Sequence, residues 1–355
     1  MTIGARIKQG RLKTSLSQRQ LAAKIGVSAQ AISKYERDLD VPGSKVLIQL
    51  SKALDLRIEF FLRPASITKI EPKFRKRMTL SVKGQDALLS SVQDWLERYL
   101  EIEGILSEEA PRFDYPEGFP KHVTTLQEIE QAAEALRRAW GLGAGPIEDL
   151  TGLLEDKGIK VGTIEADPKF DACTFQAEID GGVTAIVTRK GIPGDRQRFS
   201  LAHELGHLIL ITHDLDEEKA ALRFAAAFLI PEAAASSELH GKRVILSIYE
   251  LHILKHRYGA SMSTWIHRAE ELGIISKSRA KSLYQLFSAQ DWRKIEPGDP
   301  IAPEIPRRFE RMVMGAMVEG IISETRAGEL LGRPVRSFLD EEAKTHGEWL
   351  AAVCY

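Results

Sequence analysis

The chain has 355 residues, 43% hydrophobic and 28% charged, which suits a globular protein of two or three domains with sizeable cores. Its formal net charge of −1 hides a split: residues 1–80 carry 17 Lys/Arg against 6 Asp/Glu, and the remaining 275 carry 32 against 44. Cys173 and Cys354 are too few for a disulfide framework or a cysteine-based zinc site, the start MTIGARIKQGRLK lacks the apolar core of a signal peptide, and no apolar run is long enough to span a membrane, so a cytoplasmic protein is expected.

Residues 1–64 read as short helices. Ile3, Ile7 and Leu12 mark the first, and Ser17 with Gln20 forms an S-x-x-Q capping box opening the second. Gly26 closes that helix, Ser28 can cap a third running through Tyr35, and weaker signals predict two more before Leu62. Residues 65–120 read as a basic linker plus a connecting helix near 81–107, ended by the proline-rich PRFDYPEGFP at 111–120. Residues 121–275 are expected to form one domain. It has helices near 125–140 and 146–157, strands at 159–164, 170–179 and 183–188, and further helices from Asp195. The last two strands form a hairpin about Gly181-Gly182. Residues 276–355 read as a helical region after a proline-stiffened connection, and simple packing on the preceding domain is expected. No internal repeat is evident.

A helix, a tight turn at Gly26 and a second helix form the helix-turn-helix pattern, whose second helix lies in the major groove of double-stranded DNA. The candidate DNA-binding residues are Gln18, Ser28, Ala29, Gln30, Ser33 and Lys34, with Gln30 able to bond an adenine edge and Lys34 a guanine or phosphate. The twelve basic and five acidic residues of 1–64 suit a phosphate backbone. LSQRQLAAKIGVSAQAISKYERD resembles the Xre, or lambda-repressor, type of helix-turn-helix. The resemblance implies an ion pair between Arg11 and Glu36 and a homodimer on a palindromic operator, with the promoter of its own gene the expected target. Asp38 stands where that family usually has glycine.

His203-Glu204-Leu205-Gly206-His207 is an H-E-x-x-H sequence, and on a helix both imidazoles share a face. Glu204 is the candidate catalytic residue, placed to take a proton from water. The surrounding Phe199, Leu201, Leu205 and Leu208 predict a buried helix, where two histidines and a glutamate are costly without a metal or partners. A hydrolytic zinc site takes three protein ligands. Spacing alone leaves Asp216, Glu217 and Glu218 open as the third, with His213 a weaker competitor at the end of the same helix. QRFSLAHELGHLIL followed by EKAALRFAAAFLIP resembles the ImmA/IrrE family of gluzincin-type metallopeptidases. That resemblance implies Zn²⁺ on His203, His207 and Glu218. Ser200 and Leu222 depart from the family pattern, the latter replacing an asparagine expected between the two helices. His240, His252, His256 and Tyr258 are candidates for stabilising an oxyanion, and Cys173 reads as a buried strand residue.

The expected fold is therefore multidomain: an all-α helix-turn-helix head, an α+β gluzincin-like zinc peptidase domain with a small sheet, and a helical C-terminal region. Together the resemblances imply a DNA-binding transcriptional regulator whose zinc endopeptidase cleaves a partner repressor, another regulatory protein or itself, in a stress, mobile-element or toxin–antitoxin context. The alternative is an antitoxin or transcription factor that binds its own promoter and a partner toxin, the zinc domain serving as sensor or scaffold. No membrane partner is expected.

Overall fold

A computed structural model describes residues 2–63, 67, 69–73, 80–106, 111–179 and 182–346, with side chains to residue 340. Part of the basic linker, Gly181 of the Gly-Gly pair, and Cys354 with the rest of 347–355 lie outside the described residues.

The head contains α1 (Ile3–Lys13), α2 (Gln18–Ile25), α3 (Ala29–Glu36), α4 (Ser44–Leu54) and α5 (Ile58–Leu62). Its boundaries follow local chemistry. Ser17 and Gln20 form the reciprocal capping box, Ser28 accepts the Ala31 N–H, and Gly26 ends α2 in the left-handed conformation. Ile7, Leu21, Ile32 and Leu50 fill its core. The strand β1 (Lys69–Pro72) and the long α6 (Val82–Leu106) come next.

Then come β2 (Lys121–Val123), α7 (Leu126–Ala139), α8 (Leu150–Asp156), β3 (Lys160–Ile164), β4 (Ala172–Glu178) and β5 (Val183–Arg189). They are followed by α9 (Gly194–Ile209), β6 (Leu210–Thr212), α10 (Glu217–Leu229), α11 (Glu232–Glu238), α12 (Ile248–Tyr258), α13 (Met262–Glu271) and α14 (Lys277–Ala289). The chain ends in α15 (Arg308–Val318), α16 (Glu324–Leu331) and α17 (Val335–His346).

The chain divides into two units. One comprises residues 1–110, 175–183 and 307–355, the other 111–174 and 184–306. In the first, β1 pairs antiparallel with the end of β4, Lys69 opposite Glu178 and Pro72 opposite Phe175, so the stretch expected as linker contains a strand. After β4 the Gly182 N–H donates to Ile179 C=O at 2.8 Å. Helix α6 is this unit's hub. On α1, Arg6 pairs with the buried Glu97, and Lys13 Nζ lies 2.7 Å from Asp94. The C-terminal helices also pack on α6: Phe309 stacks on Tyr99, and Arg98 Nη1 donates to Leu330 C=O at 2.6 Å. Residues 276–355, expected to pack on the preceding domain, are divided between the two units. Residues 276–306, α14 and the proline-rich segment after it, belong to the second unit, whereas 307–355 belong to the first, where the aromatic and guanidinium contacts of α6 hold α15 and α16.

In the second unit β3 runs parallel to β5 and β2 parallel to β6. Its core is built by α7, α9 and α10 through Ile129, Leu136, Leu205, Leu208, Phe224 and Phe228, all buried.

Candidate metal centre and nucleic-acid interface

Helix α9 starts after Pro193, and its first two turns are anchored by the segment beyond α14. Gly194 N–H donates to Ile301 C=O at 2.8 Å. A Cβ on Gly194 would stand 2.2 Å from Ala302 O, so glycine is required for this approach. Gln197 exchanges two hydrogen bonds with the Glu304 backbone, and Arg198, buried, pairs with the Glu304 carboxylate. The same carboxylate accepts the Leu150 and Thr151 N–H groups at the start of α8. The proline-stiffened connection thus fixes the helix that carries H-E-x-x-H, a role its composition did not show.

The two motif histidines face each other, Nε2 to Nε2 at 3.1 Å. Glu218, in the first turn of α10, completes the group: Oε2 lies 3.2 Å from His203 Nε2 and Oε1 3.4 Å from His207 Nε2. Tetrahedral zinc with ligand bonds near 2.0–2.1 Å sets its ligand atoms about 3.3 Å apart. The observed separations and the nitrogen–oxygen donor set fit that ion. Among the described residues these three form the one group of His, Cys, Asp and Glu gathered in this way. Asp216 is instead the N-cap of α10, accepting the Lys219 N–H at 2.9 Å.

Helices α9 and α10 approach closely because Gly206 has no side chain: a Cβ there would stand 3.0 Å from Phe224 Cδ1 and 3.2 Å from Ala221 Cα. Leu222 is 45% exposed and so lies outside this contact. Glu204 is buried, and β4 holds it: Oε2 accepts the Thr174 N–H at 2.7 Å and the Thr174 hydroxyl at 2.8 Å. Thr174 is a residue sequence reading missed, since nothing marks a strand threonine thirty residues upstream as the partner of a motif glutamate. Beside it Cys173 is buried, and burial together with the Glu204 charge pushes its thiol well above the usual range, consistent with a packing role.

His213 is not at the end of α9. That helix stops at Ile209, β6 intervenes, and His213 Nε2 meets His122 Nδ1 at 2.8 Å. Of the oxyanion candidates, Tyr258 donates its hydroxyl to Glu238 at 3.0 Å, and burial with that carboxylate pushes the phenol up to about 12. His252 and His256 meet edge to face along α12, and His240 is exposed just after α11 with φ of 55°.

In the head, Arg11 and Glu36 form the implied ion pair with two bonds, and Gln18 Nε2 donates to Glu36 Oε2 at 2.7 Å. Asp38 adopts the left-handed conformation a glycine would take, φ 55°. Its Oδ1 accepts the Gly4 N–H at the start of α1, a bond glycine could not make. On α3, Gln30 and Lys34 are exposed and Ser33 is half-buried. Ser28 is exposed but spends its hydroxyl oxygen on the cap, and Ala29 packs against the head's core.

The helix-turn-helix family matches residues 7–61, and the IrrE N-terminal-like domain family matches residues 192–270. The chain is similar to the HTH-type transcriptional regulator ImmR of Bacillus subtilis (strain 168), 29% identical over 69 residues, which is 19% of this chain and 54% of that protein. It is also similar to an uncharacterized transcriptional regulator in the ATPase CF(0) region of Rhodospirillum rubrum, 41% identical over 59 residues, 17% of this chain and 55% of that protein. The chain thus spans about half the length of the curated relatives it matches. No described helix is long and apolar enough to cross a membrane.

Proposed function

We propose that this chain, a helix-turn-helix domain followed by an IrrE N-terminal-like domain, is a DNA-binding transcriptional regulator with a zinc-dependent endopeptidase centre. The observation that carries the reading is the convergence of His203, His207 and Glu218 at zinc-ligand separations next to the buried Glu204. Zinc held there supplies a Lewis acid for the scissile carbonyl and a more acidic water. Glu204 takes the proton at its carboxylate and delivers it to the departing amine nitrogen, while Thr174 fixes Oε2 so that the carboxylate keeps one orientation. The substrate is a repressor or other regulatory partner, or another copy of the chain. The head supplies the DNA contacts, with Gln30 at a base edge and Lys34 at a guanine or phosphate of an operator before its own gene, bound as a homodimer.

Glu204→Gln tests the catalytic part. The variant is expected to keep its zinc, measured by atomic emission after dialysis, and to lose processing of the partner repressor. His203→Ala and Glu218→Ala are expected to lose the zinc itself. A Glu204→Gln chain that relieves repression like the wild type would show that the centre works as a sensor or scaffold rather than as a peptidase. Full zinc in Glu218→Ala would remove Glu218 from the ligand set.

A further inference from the structure

The last three described helices repeat the first three, a correspondence that residue identity does not reveal. A shift of 306 residues carries Ser17 onto Ser323, α2 (Gln18–Ile25) onto α16 (Glu324–Leu331), and Gly26 onto Gly332. It also carries Ala29, where α3 starts, onto Val335, where α17 starts, and α1 to within one residue of α15. The backbone agrees. Ser17 and Ser323 accept the amide three residues on, at 3.2 Å in both cases, and Gly26 and Gly332 are both left-handed at φ 72°. Core positions correspond as well: Ile7, Leu21 and Ile32 map onto Val313, Ala327 and Phe338, all buried. The repeat escapes a reading by residue identity because its core side chains have changed in size, while the punctuating serine and glycine persist.

The face that would read DNA has changed character. Gln18, Ser28, Gln30, Ser33 and Lys34 become Glu324, Pro334, Arg336, Leu339 and Asp340. Carboxylates where the head has Gln18 and Lys34 repel phosphate, and residues 307–346 hold seven Lys/Arg against seven Asp/Glu. Pro334, Arg336 and Asp340 are exposed and Leu339 is half-buried. Such a mixture of apolar and oppositely charged side chains suits a protein surface better than a duplex. Within this unit α6 already covers another side of the repeat, through Tyr99–Phe309 and Arg98–Leu330.

We propose that the first two turns of α17 form a homodimerisation surface whose occupant is α17 of a second copy, the two helices lying antiparallel about a twofold axis. The face is self-complementary. A twofold interface places residue i against j and j against i, so opposite charges on one face meet twice. Arg336 and Asp340 are one helical turn apart, and neither is ion-paired with another described residue. Within one helix a cation preceding an anion is the weaker order for i,i+4 pairing, which leaves both charges for the second copy. Leu339, half-buried, lies between the two charge pairs in this register and supplies the apolar contact there.

The test is sedimentation equilibrium on the full chain. Arg336→Asp and Asp340→Arg each place like charges at both symmetric pairs. Each is expected to raise the dimer dissociation constant about tenfold, two exposed pairs being reversed at once. The combined swap is expected to return it to within about threefold of wild type, which loss of fold would not do. A monomeric wild type, unaffected single variants, or a swap that fails to restore association would each overturn the proposal. So would a several-fold loss of affinity for a short random-sequence duplex in Arg336→Ala, because α17 would then be a DNA reader.

Discussion

Thr174 shows how much of the centre's chemistry rests on one side chain. Its N–H and hydroxyl both converge on Glu204 Oε2 where neither residue meets much water, Thr174 being fully buried and Glu204 8% exposed. A charge-assisted bond in such a place contributes about 1.5–3 kcal/mol. Thr174→Val keeps the shape and the backbone donor but deletes the hydroxyl. It is therefore expected to lose about that much in urea unfolding with zinc content unchanged, and Thr174→Ser is expected to recover most of the loss. A Thr174→Val chain as stable as wild type would show that the hydroxyl contributes nothing. Residues differ in how far their neighbours announce them. Arg11 and Glu36 can be paired from the sequence because a known pattern carries them, and Asp38 can be singled out as a departure. That Gln18 joins the same carboxylate, and that Asp38 recovers a glycine's turn while capping α1, depends on side-chain placement that spacing does not encode.

At the scale of elements, the ligand set is a property of two helices held at a fixed distance. His203 and His207 ride on α9 and Glu218 on α10, and Gly206 lets the two approach. Gly206→Val would press a branched side chain against Phe224 and the Ala221 backbone. The ring can tilt, but the backbone has little room, so destabilisation of about 1–3 kcal/mol is expected. Zinc affinity measured against a competing chelator should fall with it, because the donors separate. Gly206→Ala should be milder, since a helix-propensity gain of about 1 kcal/mol opposes the same crowding. Wild-type zinc affinity in the valine variant would mean that this contact does not set the site. The helices α7, α9 and α10 and the strands β3, β4 and β5 are legible because each is long enough to show its period. Strands β2 and β6, three residues each, are too short for a pattern, and missing β6 is what misplaces His213 on α9.

At the scale of the whole molecule, each unit carries an ionic anchor, one buried and one half-buried, and these respond to acid. Asp94 on α6 is buried, which by itself would raise its pKa. Arg98, Lys13 and Arg63 overcome the burial and hold its carboxyl well below the usual range. In the second unit Glu271 is likewise held at about 2, His267 and Arg223 outweighing its burial. A carboxyl whose folded pKa is depressed contributes stability that is present above its unfolded value, roughly 4, and is lost as pH falls through the folded one. Both units are therefore expected to lose stability progressively below about pH 4. Asp94→Asn isolates the first anchor. At neutral pH it leaves Lys13, Arg63 and Arg98 facing a neutral amide, with a cost of about 3–5 kcal/mol for breaking a buried pair. The amide has no proton to gain, so the deficit relative to wild type should shrink as the wild-type carboxyl protonates. Chemical denaturation of both chains across that range measures it. A deficit that stays constant from neutral pH into acid would mean that the α1–α6 joint is held by packing and that its charges are along for the fit.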